Sequence, residues 1–116
     1  MQLSFKTPIW LYPTPIDFRK QIDGLALLIA DQLSLNPGSG ELFVFYNRGT
    51  DKVKLLWYDS NGFWLCYKRL EKGRFKFPKK QTDAMVMTRD QLAWLLSGLQ
   101  WMKTPLLPTC EATHFF

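Results

Sequence analysis

Two stretches of the chain carry apolar residues at the spacing of an amphipathic helix. In the first, apolar side chains recur every three or four positions from Phe18 to Leu33, until Asn36-Pro37-Gly38 breaks the pattern. Thr14-Pro15-Ile16-Asp17 supplies a cap residue, a proline at the first helical position and an acid three residues after the cap, so we expect this helix to start there. The second helix begins at the capping box Thr88-Arg89-Asp90-Gln91 and carries leucines up to Leu99.

Between the two helices, short runs of β-branched and aromatic residues alternate with turn residues, which is typical of β-strands. The predicted strands are residues 9–12, 42–46, 53–58, 63–70 and 74–77, with a further one at 84–87. We therefore predict an α+β fold in which an antiparallel meander sheet of about five to six strands has two helices packed on one face. The reason is that each helix has a single apolar stripe to bury.

The hairpin around Asp59-Ser60-Asn61-Gly62 decides which side chains share a face of the predicted sheet. A loop of two or four residues places one set together: Lys54, Leu56, Tyr58, Phe63, Leu65, Tyr67 and Arg69. The opposite set is Val53, Leu55, Trp57, Trp64, Cys66, Lys68 and Leu70. Because Lys68 is the single charge in the second set, that set is the better core candidate and the first set forms the wetter face. A three-residue loop would undo this assignment.

Length and composition indicate a globular protein with one domain. With 116 residues, 47% of them hydrophobic, we predict a single domain at 1–102 and a loose C-terminal tail at 103–116, where periodicity ends. The longest apolar run, residues 25–30, is too short to span a membrane, and residues 1–8 have no apolar signal core, so we expect a cytoplasmic protein without membrane contact. Cys66 and Cys110 suggest neither a disulfide framework nor a zinc site.

A formal charge of +5 favours polyanionic partners such as nucleic acid. The wetter face interleaves cations with aromatic rings, and such a surface can hold phosphates while bases stack. The candidate nucleic-acid-binding residues are Arg19, Lys20, Lys54, Tyr67, Lys68, Arg69, Arg74 and Lys76. Four other interpretations stay open. The wetter face can serve ordinary cross-strand pairing or bind a protein partner. The lysines of 72–80 can protect an edge strand, and Arg19 can form a surface ion pair with Asp23.

The sequence predicts no catalytic residues, no metal site and no cofactor. A two-metal nuclease needs converging carboxylates, and nothing in the spacing of Asp17, Asp23, Asp59 and Glu71 forces convergence. The one histidine, His114, lies in the predicted tail, which argues against an acid–base pair or a histidine metal cluster. We expect a noncatalytic protein, with a metal-dependent nuclease as the less favoured alternative.

Four segments carry a more specific pattern than composition or spacing supplies. They are Asp17-Phe18-Arg19-Lys20-Gln21-Ile22-Asp23-Gly24-Leu25, Leu42-Phe43-Val44-Phe45, Lys54-Leu55-Leu56-Trp57-Tyr58-Asp59 and Tyr67-Lys68-Arg69-Leu70-Glu71-Lys72-Gly73-Arg74-Phe75. Together they resemble the family of small accessory proteins encoded by the second reading frame of insertion-sequence-sixty-six-type elements, called transposition protein B or Orf2-like. The resemblance covers roughly residues 9–101, with Phe18 in place of the usual methionine and Phe77 in place of a frequent tryptophan.

The resemblance implies an accessory role in transposition of a bacterial insertion sequence, beside a larger transposase that carries the acidic catalytic triad. The positions it singles out for testing are Asp17, Arg19, Lys20, Asp23, Tyr67, Lys68, Arg69 and Arg74. We hypothesise a noncatalytic factor that binds DNA at the element ends, assembles with the transposase, or does both, and self-association stays open. The alternative is a protein-interaction module that binds only the transposase or itself, with Trp57, Tyr58, Phe63, Trp64 and Tyr67 as candidate anchors.

Overall fold

A computed structural model describes residues 7–79 and 82–102 of the chain, which form a five-stranded sheet and two helices. In chain order the elements are β1 (Ile9–Leu11), α1 (Ile22–Gln32), β2 (Leu42–Tyr46), β3 (Lys52–Asp59), β4 (Gly62–Arg69), β5 (Met85–Met87) and α2 (Arg89–Leu96). The strands lie in the order β4-β3-β2-β1-β5. The predicted α+β class is therefore confirmed, and the sheet has five strands where about five to six were predicted.

The sheet is mixed, because one of its four strand pairs is parallel. β2, β3 and β4 form the predicted antiparallel meander, and β5 pairs with β1 in antiparallel orientation. β1 and β2 are parallel, with Ile9 beside Leu42. The parallel pair follows from the order β1-α1-β2, since the intervening helix returns the chain to the end of the sheet from which β1 began. The prediction of a wholly antiparallel sheet was wrong at this pair.

The two helices cover opposite faces of the sheet, which corrects the prediction that they share one face. On the first face α1 contributes Leu25 and Ile29 to a core with Phe43, Phe45 and Leu56. On the second face α2 contributes Leu92 and Leu95 to a core with Ile9, Leu11, Leu42, Val44, Tyr46, Val53, Leu55 and Trp57. All five residues of β2 are buried, so its side chains need an apolar layer on both sides. Three layers provide that burial.

The β3–β4 hairpin has the two-residue loop Ser60-Asn61, with Asp59 paired to Gly62. The predicted sharing of faces is confirmed, since Lys54 lies beside Tyr67 and Leu56 beside Leu65. The predicted division into a wet face and a core face was wrong. β3 is buried on both faces because a helix covers each one, whereas β4 is largely exposed on both as the outermost strand.

Two segments predicted as regular elements are irregular. α1 begins at Ile22, and residues 14–21 contain no helix. The Ile16 N–H donates to the Tyr46 carbonyl at 2.9 Å, so this segment runs against the end of β2 before the helix starts. Residues 74–77 form no strand, although Phe75 is buried between exposed Arg74 and Lys76 as the predicted alternation requires. The predicted tail at 103–116, with Cys110 and His114, lies outside the described residues.

The second helix begins where it was predicted to begin, but it ends at Leu96 rather than including Leu99. The Thr88 hydroxyl accepts the Gln91 N–H at 3.0 Å, and the Gln91 side chain accepts the Thr88 N–H at 2.9 Å, which completes the capping box. The predicted strand at 84–87 corresponds to β5. Neither helix in the described part of the chain combines the length and apolar character needed to cross a membrane.

Candidate nucleic-acid interface

Three segments meet where β2 ends, β3 begins and β4 ends. Lys52 at the start of β3 lies beside Arg69 at the end of β4. The chain after β4 stays close, because the Leu70 N–H donates to the Asp51 carbonyl at 2.8 Å and the Phe75 N–H donates to the Thr50 carbonyl at 2.7 Å. The segment before α1 joins them, because Lys54 of β3 donates hydrogen bonds to the Phe18 and Lys20 carbonyls. We call the surface formed by residues 17–20, 47–54 and 67–76 the basic end.

The basic end concentrates positive charge. Ten of the fifteen lysine and arginine residues of the chain lie in its three segments, together with three acidic residues. Of the remaining acids, Glu41, Asp59 and Asp90 lie toward the other end of the strands, at the start of β2, the end of β3 and the start of α2, whereas Asp23 and Asp83 lie nearer the basic end, at the start of α1 and before β5. The overall charge of +5 is therefore distributed unevenly, with most of the cations at one end of the strands.

A groove of about 700 Å³ opens on the α1 face of the basic end. It is lined by Asp17, Phe18, Arg19, Gln21, Lys52, Lys54, Leu65 and Tyr67. The Phe18 and Tyr67 rings stand 6.2 Å apart between centroids, tilted by 58°. Tyr67 is 54% exposed, so its ring is accessible to a ligand from solvent.

Lys54 is buried, with 5% of its surface exposed. Its Nζ donates to the Phe18 carbonyl at 2.9 Å and to the Lys20 carbonyl at 2.7 Å, and lies 4.9 Å from the centroid of the Phe18 ring. Burial lowers the pKa of this ammonium group, and the nearby charge of Asp17 partly opposes the effect. Lys54, a predicted nucleic-acid-binding residue, therefore holds the segment that carries Arg19 and Lys20 against the sheet.

Arg19 and Asp17 form an ion pair at the rim of the groove. Arg19 Nη2 and Nε donate to Asp17 Oδ2 at 2.6 and 3.0 Å, and the Arg19 backbone N–H donates to Asp17 Oδ1 at 2.9 Å. The side-chain hydrogen bonds from Arg19 are the main reason that the pKa of Asp17 falls to about 2, and the pair raises the pKa of Arg19. The partner of Arg19 is thus Asp17 rather than Asp23, and Asp17 is not a helix-capping acid. The Arg19 side chain remains 91% exposed.

Two more predicted site residues at the basic end interact with neighbouring loops. Arg74 Nη1 donates to the Gly49 carbonyl at 2.6 Å, which ties the segment after β4 to the β2–β3 turn. Arg69 Nε donates to Glu71 Oε2 at 3.0 Å, and this hydrogen bond is the largest cause of the raised pKa of Arg69. Both arginines are exposed, so they can also reach a ligand in solution.

Lys68 and Lys76 are associated with the α2 face instead. Lys68 Nζ donates to the Leu96 carbonyl at 2.7 Å, and so satisfies a carbonyl at the last residue of α2. Lys76 is exposed, and its backbone carbonyl accepts a hydrogen bond from Trp101 Nε1 at 2.7 Å. All eight predicted residues therefore belong to the segments of the basic end, but Lys68 and Lys76 lie toward the α2 face rather than around the groove.

Three basic residues of this surface were absent from the predicted set. Lys52 lines the groove, Arg48 is the exposed residue of the β2–β3 turn, and Lys72 lies in the exposed loop after β4. The signal for Lys52 was in the hairpin, because a two-residue loop at 60–61 places Lys52 opposite Arg69. Arg48 and Lys72 come close to the other basic residues because the loop after β4 hydrogen-bonds to the carbonyls of Thr50 and Asp51. The periodicity of the sequence does not predict these loop contacts.

The carboxylates considered for metal chemistry stay apart. Asp59 accepts the Trp64 indole N–H at 3.2 Å at the far end of the hairpin, while Asp17 and Glu71 pair with arginines. Within residues 7–79 and 82–102, no three His, Cys, Asp or Glu side chains are grouped so that they could hold a metal ion.

Comparison with known proteins identifies the family. A model described as IS66 Orf2 like protein matches residues 7–105. The chain belongs to the IS66 Orf2-like family. Its family membership associates it with transposition of an insertion sequence as an accessory protein, as the sequence resemblance implied.

Two relatives of the IS66 Orf2-like chain come from Sinorhizobium fredii (strain NBRC 101917 / NGR234). The uncharacterized protein y4hO is 39% identical over 93 residues, which are 80% of this chain and 81% of the relative. The uncharacterized protein y4jC is 32% identical over 99 residues, which are 85% of each chain. No solved structure matches the chain.

Three of the four segments that carry the IS66 Orf2-like resemblance line the groove, whereas the segment at 42–45 is the buried strand β2. The segment at 17–25 provides Asp17, Phe18 and Arg19, the segment at 54–59 provides Lys54, and the segment at 67–75 provides Tyr67. Segments that are distant along the chain are thus joined in space at the basic end.

Proposed function

We propose that this IS66 Orf2-like protein is a noncatalytic accessory factor in transposition that binds DNA through its basic end. The observation that carries the proposal is the convergence of three basic segments, 17–20, 47–54 and 67–76, on one end of the sheet. Each cation set against a phosphate releases condensed counterions, so a cluster of this kind supplies affinity for the DNA backbone.

The accessible cations of the basic end suit backbone contacts better than base recognition. Arg19, Arg48 and Lys72 are exposed side chains on separate loops and turns. They can follow a phosphate backbone, whereas reading base edges in the major groove requires a helix or a two-stranded ribbon that enters it. The acids at the opposite end oppose binding there, so DNA is steered to one orientation. The exposed Tyr67 ring adds a stacking surface for an unpaired base.

A fluorescence-anisotropy titration tests the proposal. The protein is titrated against an element-end duplex and a scrambled duplex across a salt series. The double variant Arg48→Ala, Lys72→Ala should bind more weakly and lose about one unit of salt slope for each phosphate contact removed. The matched control Arg89→Ala removes one positive charge near the start of α2, away from the basic end, and should keep the wild-type slope.

The outcome decides between specific and general binding. Preference for the end sequence would indicate recognition of the element, and equal binding of both duplexes would indicate a general backbone binder. A folded double variant with the same affinity and salt slope as the wild type would refute binding through the basic end.

A second candidate function is a protein-interaction module that binds the transposase. The observation in its favour is the exposure of two large aromatic side chains of β4, Trp64 and Tyr67, at 54% each. Trp57, another candidate anchor, is 5% exposed and packs in the core. Co-purification of the transposase at high salt, lost in Trp64→Ala, would support this function because salt screens the charges of the basic end but not apolar contacts.

A further inference from the structure

The outer edge of the sheet at β4 exposes backbone groups that can pair with another strand. β4 is eight residues long and hydrogen-bonds to β3 on one side. Asp59 and Gly62 flank a two-residue loop, so they form a hydrogen-bonded pair, and such pairs recur at every second position of an antiparallel ladder. The Leu70 N–H donates to the Asp51 carbonyl, as expected for a residue an even number of positions after Gly62. The N–H and C=O groups of Phe63, Leu65, Tyr67 and Arg69 consequently point outward.

These outward groups are available for pairing. Among residues 7–79 and 82–102, no backbone group of a turn or loop donates to them or accepts from them. The side chains along the strand are also accessible, since Trp64, Cys66, Tyr67, Lys68 and Arg69 are all exposed. A long edge strand with exposed apolar side chains is a template for addition of another strand.

The composition of β4 indicates which strand fits this edge. Its first half carries the aromatic residues Phe63 and Trp64 and no charge, and its second half carries the cations Lys68 and Arg69 next to Tyr67. A strand that runs antiparallel to it should therefore begin with aromatic residues and end with cations, which is the composition of β4 itself. We propose that a second copy of this chain pairs with the first through antiparallel β4 strands, with the two-fold axis at Cys66.

Backbone parity and side chains select this register together. Outward-pointing residues must face outward-pointing residues, and the axis at Cys66 meets this condition by pairing Leu65 with Tyr67 and Phe63 with Arg69 of the second copy. Trp64 then faces Lys68 of the second copy on the α2 face. Each cation thus lies beside an aromatic ring, an arrangement that stabilises cross-strand pairs.

Other arrangements of the same two strands are less favourable. An axis at Leu65 also satisfies backbone parity, but it places Lys68 opposite Gly62 and leaves the cation without an aromatic partner. A parallel pair in register places Lys68 beside Lys68 and Arg69 beside Arg69, and like charges directly opposite are destabilising. The proposed register is the one in which charge and ring positions are complementary.

Sedimentation equilibrium in reducing buffer tests the association. The wild type should approach twice the monomer mass of 13.6 kDa as concentration rises. Tyr67→Pro removes an outward N–H while leaving the hydrogen bonds to β3 intact, because proline is tolerated on an edge strand whose N–H faces solvent. It should weaken the dimer by about tenfold or more, since symmetry removes two hydrogen bonds. Tyr67→Val, which keeps the N–H, is the matched control and should still dimerise.

Disulfide trapping tests the register independently of these variants. Residues directly opposite in a pair without mutual hydrogen bonds have Cα atoms about 4.5 Å apart, within reach of a disulfide. In a Cys110→Ser background, mild oxidation should therefore join two copies through Cys66. As the control, Trp64→Cys in a Cys66→Ser, Cys110→Ser background should not be joined, because position 64 faces position 68 of the second copy. A monomer at every concentration, or trapping at 64 in place of 66, would overturn the proposal.

Discussion

Lys54 illustrates at the scale of a residue how the groove is held in shape. Its ammonium group is buried under the segment at 17–20 and hydrogen-bonded to two of that segment's carbonyls. A buried ammonium is favourable only when such partners replace the water that it has lost. The segment that bears Arg19 and Lys20 therefore depends on a side chain from the neighbouring strand.

We predict that Lys54→Met destabilises the protein although it removes an unfavourable burial of charge. Methionine fills the same volume without donors, so the Phe18 and Lys20 carbonyls lose their partner. The free energy of unfolding should fall by about 1–3 kcal/mol in urea denaturation. Lys20→Met is the matched control, because Lys20 is exposed, and it should change stability by less than about 0.5 kcal/mol. Equal stability of Lys54→Met and the wild type would contradict the fastening role.

The sequence predicted the face on which Lys54 lies but not its burial. Its face followed from the parity of the hairpin, which is a local property of the loop at 60–61. Its burial follows from contacts with residues 18 and 20, more than thirty positions earlier in the chain. The same limit applies to Arg48 and Lys72, whose neighbours are set by loop contacts rather than by any period in the sequence.

At the scale of an element, the two helices differ in how their first turns are satisfied. α2 has a complete capping box at Thr88 and Gln91, and its predicted start agrees with the structure. α1 begins after Gln21, which makes no side-chain cap hydrogen bond. The capping pattern at 14–17 was misleading because the chain there hydrogen-bonds to β2 and Asp17 pairs with Arg19, so tertiary contacts compete with the local signal.

Opposite effects on stability should follow from changes at the two caps. Thr88→Ala removes the acceptor for the Gln91 N–H and should lower the free energy of unfolding by about 1 kcal/mol. Gln21→Asp should raise it by about 0.5–1 kcal/mol, because Gln21 has the extended conformation of a cap residue and aspartate supplies the missing acceptor. Thermal denaturation of both variants measures the effects. Gln21→Ala serves as the control. If Gln21→Ala raised the free energy of unfolding as much as Gln21→Asp, capping would be excluded as the cause.

At the scale of the whole molecule, the error in the predicted arrangement of layers has a clear physical source. Each helix has one apolar stripe, and that pattern is equally compatible with packing on the same face or on opposite faces. The deciding information is in β2, whose residues 42–46 are all apolar and all buried. A strand without polar alternation needs cover on both faces, so the run at 42–46 indicates a three-layer arrangement.

We predict that the cores on the two faces unfold as one unit, because β2 and β3 contribute side chains to both. Ile29→Ala and Leu95→Ala each truncate a fully buried side chain, one on each face, and should each cost about 2–5 kcal/mol. Urea transitions followed by tryptophan fluorescence and by circular dichroism should coincide in both variants.

Leu27→Ala provides the control for this prediction, because Leu27 lies on α1 with 60% of its surface exposed and should change stability by less than about 0.5 kcal/mol. A transition in Leu95→Ala that splits, with α2 lost at lower urea than the rest, would contradict a single cooperative unit. Lys68 would then be the first residue to examine, since its bond to the Leu96 carbonyl joins the end of α2 to β4 at the edge of the sheet. Loss of α2 alone would also free the Lys68 side chain, which lies opposite Trp64 of the second copy in the proposed dimer. The cooperativity of the layers therefore affects the pairing of β4 directly.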